Sequence, residues 1–143
     1  MKSVIYEFDP VIYPFPLLVT KDYDSKELNE LFYVVNTNNE LEDAPEEFVG
    51  NPQTRARTIE VVRRDTYLRY FLILLVRPNV IKTCGTMAHE AYHATNQMAH
   101  LLGFLPERPQ DDEPCAYLLD WMADCIESVK RGHPEQMKGV KVE

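Results

Sequence analysis

The run FLILLV, Phe71–Val76, is the longest purely apolar stretch of the chain. It is far too short to cross a bilayer, which takes about 20 apolar residues. It suits an interior β-strand instead. The stretch before it, TRARTIEVVRRD, alternates and reads as a half-buried strand. A polar break near Asp65 separates the two, which are predicted to pair as a hairpin. Pro78 and Asn79 end the second strand. The pattern then predicts a helix from about Ile81 to Leu102, stopped by Gly103. LPERPQDDEP is a loop, and a second long helix starts near Pro114, which suits a first helical position. It runs through CAYLLDWMADCIESVKR to Gly132.

The rest of the chain is shorter in its elements. SVIYEFDPVIYPFPLLVT reads as two short extended segments, which Pro10, Pro14 and Pro16 confine to edges or irregular chain. DSKELNELFYVV is predicted as a short amphipathic helix capped by Asp24 or Ser25, with Leu28, Leu31, Phe32 and Val35 as its apolar stripe. NTNNELEDAPEEFVGNPQ is an acidic loop, and residues 132–143 form a frayed tail. The expected fold is a single α+β domain over 1–143: a small, twisted, mostly antiparallel sheet packed on two long helices and one short one.

Composition narrows the partners. A net charge of −8 argues against nucleic acid, since duplex binding needs a cationic face. No membrane association is expected. No apolar run follows the first residues, so no signal peptide is expected. The three cysteines, Cys84, Cys115 and Cys125, are expected as reduced thiols in a cytoplasm. They read as small buried fillers, with Cys84 and Cys115 near the candidate site. Arg55, Arg57, Arg63, Arg64, Arg69 and Arg77 crowd the two strands, while the 38–47 loop is acidic. Such runs are usually solvated faces that attract each other. The sharper reading is a cationic rim for an acidic substrate.

The first long helix contains HEAYH, residues 89–93. At 100° per residue, His89 and His93 differ by about 40° in azimuth and about 6 Å in height. Two imidazoles so placed can converge on one metal ion. Glu90, offset by about 100° from His89, then stands beside the ion's open position, where it can take a proton from a bound water. A metal site needs a third ligand. His100 lies about 10 Å further along the axis than His93, too far to share the ion, and reads as a structural histidine. A carboxylate from the second helix is the better option. Glu113 leads, and Asp111 and Asp112 are competitors that could instead cap that helix. Because Pro114 follows Glu113, the α region is disfavoured there, which would put Glu113 at the cap.

HEAYH followed by EPCAYLLDW resembles a small gluzincin, the compact branch of zincin metallopeptidases with HExxH on one helix and a glutamate on the next. VIYP near the start and AHEAYHATNQMAHLLG also resemble uncharacterised zincin-like proteins of Bacteroidetes phages and prophages. The likeness covers roughly Tyr67 to Arg131. It implies a sheet packed on the active-site helix, with an edge strand binding extended peptide, and a cytoplasmic location in a bacterial host. It carries over His89, His93 and Glu113 as ligands of one zinc ion per chain and Glu90 as the catalytic base.

The expected function is therefore a zinc metallopeptidase, a hydrolase that cleaves a peptide or protein substrate through a metal-activated water with Glu90 as general base. Tyr117, on the face of Glu113, is a candidate for stabilising the transition state, and equally a core aromatic. Asp120 is either a partner orienting a ligand histidine or an exposed charge. Met87, Met98, Leu101, Trp121, Met122 and Ile126 are expected in the core. The alternative is a catalytically silent zincin-like binding module that keeps or has lost the metal and contacts a host or virion protein.

Overall fold

The computed structural model describes residues 2–143. In chain order the elements are β1 (Val4–Phe8), β2 (Leu17–Asp22), α1 (Ser25–Leu31), β3 (Phe32–Val35), β4 (Leu41–Glu42), β5 (Arg57–Arg63), β6 (Arg69–Leu74), α2 (Gly85–Leu102), α3 (Glu113–Lys130) and β7 (Lys141–Val142). The class is α+β. The strands form one seven-stranded sheet in the order β4-β3-β5-β6-β2-β1-β7, larger than the small sheet expected. Pairing is antiparallel except between β2 and β6, where Leu17–Thr20 run parallel to Phe71–Leu74.

The apolar run of the sequence explains the layering. In β6 and just beyond it, Phe71, Ile73 and Leu75 face one core, and Leu72 and Leu74 face the other. Both faces of the central strand are therefore covered, so the run is apolar without alternation. On the first face α2 and α3 pack through Ala91, Ala94, Met98, Met122 and Ile126. On the second face Leu28 of α1 and Phe48 of the Pro45–Phe48 turn close over Ile59, Leu72 and Leu74. Each large side chain fully buried this way contributes roughly 1.5–3 kcal/mol.

The β5–β6 hairpin forms as expected, with Arg57↔Leu74 to Val62↔Arg69 in register. The turn between them places Tyr67 at φ 58°, in the left-handed region. The short helix is a correction. α1 stops at Leu31, and Phe32–Val35 is a strand paired with β5. Alternating burial in that strand, with Phe32 and Val34 inside, outweighs the helical spacing of the same residues. The acidic stretch carries β4 and the Pro45–Phe48 turn. The tail is also corrected, because Lys141–Val142 pairs with β1.

α2 begins at Gly85 and not at Ile81. It ends as expected at Gly103, whose φ of 78° lets Phe104 N–H reach the Ala99 carbonyl at 2.9 Å. Leu101 is exposed and not core. Cys84 is exposed, Cys115 half-buried and Cys125 buried, so only one of the three is the buried filler expected. Among the described residues no helix is long and apolar enough to cross a membrane.

Candidate functional site

Helix α2 carries Met87, Ala91, Ala94 and Met98 as one buried stripe against the sheet. His89 and His93 point within about 50° of the opposite direction, so both rings stand on the outer crest of the helix. The His89 side chain is 66% exposed. The two rings meet edge to face, with centroids 4.6 Å apart and Nε2 atoms 3.0 Å apart. A tetrahedral zinc ion with Zn–N near 2.0–2.1 Å needs its nitrogen ligands about 3.3 Å apart. At 3.0 Å the two nitrogens are at hydrogen-bond distance, and a separation a few tenths of an ångström longer would let them share an ion.

Glu90 lies on the flank of α2 that faces β5. Its side chain is 7% exposed. Thr58, on the strand below, donates its hydroxyl towards Glu90 Oε1 at 2.9 Å and lies 3.1 Å from the Glu90 carbonyl oxygen. Oε2 lies 4.0 Å from His89 Nε2. The charge of a buried carboxylate is costly unless hydrogen-bonded, and Thr58 supplies that bond. A cleft of about 370 Å³ opens beside the pair, lined by Thr86, His89 and Glu90 from α2 and by Gln53, Arg55 and Ala56 from the segment entering β5.

Glu113 does not join this group. Two contacts set how α3 lies on α2. Thr95 Oγ1 is 3.4 Å from Met122 Sδ, and Cys115 Sγ is 3.9 Å from the Phe104 carbonyl oxygen. The helices are therefore antiparallel, and the first turn of α3 sits beside the end of α2. From His93 to Leu102 is roughly 13 Å of helix axis, more than a glutamate side chain spans. Among the described residues no group of three or more His, Cys, Asp or Glu side chains stands close enough to hold a metal ion. The histidine pair supplies two nitrogen donors, and among the described residues no third His, Cys, Asp or Glu ligand joins them.

The remaining candidates lie on α3. Glu113 is the first residue of the helix, and Asp112 is at the cap without a side-chain capping bond. Asp111 pairs with Arg108 at 2.9 Å. Tyr117 is 71% exposed and lines a separate cavity with Pro10, Ile12, Tyr13 and Trp121. Asp120 is exposed, and its charge acts on Asp124, whose carboxyl is pushed up first by burial and then by Asp120 and Glu127. His100 is exposed on the outer side of α2. None of these forms a hydrogen bond or ion pair with His89 or His93.

Thr58 is the site residue that pattern reading missed, whereas Arg55 belongs to the arginine run read from the sequence as a cationic rim. Strand alternation puts Thr58 on the polar face of β5, but no local signal says that α2 crosses that face at Glu90.

No family model matches the chain, and neither a curated protein nor a solved structure matches it.

Proposed function

We propose that the protein is a zinc-dependent hydrolase acting on a peptide bond, with His89 and His93 holding the metal and Glu90 as general base. The observation that carries this reading is the convergence of the two Nε2 atoms at 3.0 Å, with Glu90 Oε2 4.0 Å from that of His89. The donor set points to zinc, because neutral imidazole is among its preferred ligands. When bound, the ion supplies a Lewis acid and lowers the pKa of a water that it holds. Glu90 does the proton work. Thr58 occupies Oε1 and fixes the carboxylate, so the lone pairs of Oε2 are available to accept a proton from the attacking water. The same oxygen then returns it to the leaving amine. The depression beside Glu90 is open to solvent on the α2 flank, so its side chain can be reached from outside. The resemblance to small gluzincins agrees with the three HEAYH roles.

A second reading, a zincin-like binding module that works by contact, is favoured by the open position of His89 and by the distance of Glu113 from the pair. One experiment separates the two. Purified protein loaded with zinc is incubated with a mixed peptide library, with and without chelator, and read by mass spectrometry. Chelator-sensitive cleavage that falls about 10²–10⁴-fold in Glu90→Gln, with zinc retained, supports the hydrolase. Cleavage that survives in Glu90→Gln overturns the assignment of Glu90. Bound zinc with no cleavage of any peptide favours the binding module.

A further inference from the structure

The charges around β5 sort into two groups. Arg57 pairs with Glu47 and Arg64 with Asp43, both in the acidic stretch. Arg63 bonds Asp65 at 3.0 Å and Glu143 at 2.9 Å, and Arg69 bonds Glu60 at 3.3 Å. Arg77 donates Nε–H to the Thr54 carbonyl at 2.9 Å. Arg55 differs. Its guanidinium makes no ion pair or hydrogen bond to any described residue, and it lines the cleft that contains His89 and Glu90.

The backbone beneath Arg55 is held firmly. The Arg55 carbonyl accepts the Arg77 N–H at 3.0 Å, and the Thr54 N–H reaches the Asn51 carbonyl at 3.0 Å. The Asn51 N–H is 3.2 Å from Thr54 Oγ1, and the Gln53 N–H is 2.8 Å from Asn51 Oδ1. A fixed turn therefore presents an unpaired cation over the cleft, in a chain of net charge −8. The side chain itself is exposed and held by nothing. A group that stabilises a transition state must be held in place beforehand, whereas a recognition arginine can settle on its ligand, whose planar, two-oxygen carboxylate its fork matches.

Resting on the reading of His89, His93 and Glu90 as the reactive centre, we propose that Arg55 is the specificity-determining residue of the cleft, which takes a peptide bearing a carboxylate beside the bond presented to Glu90. The carboxylate is either the C-terminus of the peptide or an Asp or Glu side chain. Arg55 binds it, and Gln53 and Thr86 line the same space.

The test is a capture experiment on immobilised Glu90→Gln protein, which holds peptide without processing it. Four short-peptide pools are offered: free C-terminus without acidic residues, amidated C-terminus without acidic residues, amidated with Asp and Glu, and amidated with Lys and Arg. Retained peptides are counted by mass spectrometry. The expected result is enrichment of the first or the third pool over the second, which identifies the source of the carboxylate. Arg55→Ala in the same background should cut that enrichment by a factor of about 2–5, as loss of an exposed charge pair does. Arg55→Lys should recover part of it, because lysine keeps the charge without the fork. Equal retention of all pools, no retention of any, or enrichment that survives Arg55→Ala overturns the proposal. Circular dichroism confirms the fold of each variant. Running the capture with zinc and with chelator separates the two readings. Arg55-dependent enrichment that is indifferent to zinc, in protein that takes up none, sinks the metal site and leaves the arginine subsite standing. Zinc uptake without carboxylate enrichment sinks the subsite alone.

Discussion

Thr58 on β5 holds Glu90 on α2: its hydroxyl lies 2.9 Å from Glu90 Oε1, and this bond ties the helix to the strand across a partly buried contact. Thr58→Val keeps the shape and removes the donor, leaving a buried carboxylate oxygen without it. The expected loss is about 1–3 kcal/mol, measured by denaturant unfolding. Glu90→Gln keeps an acceptor for Thr58 and should cost less than half as much. In a Glu90→Ala background, Thr58→Val should be nearly neutral. An unchanged cost there means that Thr58 acts through the backbone carbonyl at position 90 or another group, and not through the Glu90 carboxylate.

Zinc binding should depend on the histidine pair and on nothing from α3. Zinc present at about a hundred times its dissociation constant stabilises a folded protein by about 2.7 kcal/mol. The melting temperature of the wild-type protein should therefore rise when zinc is added, and His89→Ala and His93→Ala should abolish the rise. Glu113→Gln, Asp120→Asn and His100→Ala should leave it intact, because all three side chains stand apart from the pair. Loss of the rise in Glu113→Gln, read by the same melts, means that α3 slides towards His93 when metal binds.

The contrast between His93 and Glu113 shows what a sequence can and cannot carry. HEAYH is local. The helical period alone places His89 and His93 on one face and Glu90 beside them, and the folded chain keeps that relation. Glu113 depends on how far α2 continues past His93 before the chain turns, and on the register of α3 against it. Its separation of twenty residues contains neither quantity. The same limit applies to the sheet. The β5–β6 hairpin follows from two neighbouring patterns, but the parallel β2–β6 pairing and the docking of β7 on β1 join distant segments. Phe32–Val35 is a case of competition. Its spacing continues the apolar stripe of α1, yet its aromatic and β-branched residues fit the pleated surface beside β5, and tertiary pairing decides.

The cysteines should react in a fixed order. Cys84 is exposed just before α2 and should be labelled first by a thiol reagent under native conditions. Cys115 should follow slowly, since burial and then the nearby Asp112 charge push its thiol up. Burial pushes the Cys125 thiol up much further, and it should react only on unfolding. Counting modified thiols by mass spectrometry over time checks this order. Early labelling of Cys125 would show that α3 leaves the sheet under native conditions.

The last prediction concerns the far edge of the sheet, where β7 meets β1. Glu7 is raised from its usual 4.5 to about 7, first by a side-chain hydrogen bond with Glu143, then by burial, then by the Glu143 charge, with Lys141 opposing. Glu143 also bonds Arg63 and donates its N–H to the Ile5 carbonyl at 2.8 Å, so the pair sits where the last strand is fastened. A carboxyl raised in the folded state favours folding while it is protonated. That contribution is complete below about pH 4.5 and disappears as the pH rises towards 7. Wild-type stability from this group therefore falls across that window. Glu7→Gln keeps a partner for Glu143 and cannot ionise, so the variant should lose this part of the pH dependence and be more stable than the wild type at pH 8. Solvent at this partly exposed edge screens the interaction, so the difference should be modest. Thermal melts of both proteins from pH 4.5 to 8, with hydrogen exchange of the Glu143 amide as a local reporter, test it. A variant whose melting temperature tracks the wild type at every pH would show that Glu7 and Glu143 do not share a proton.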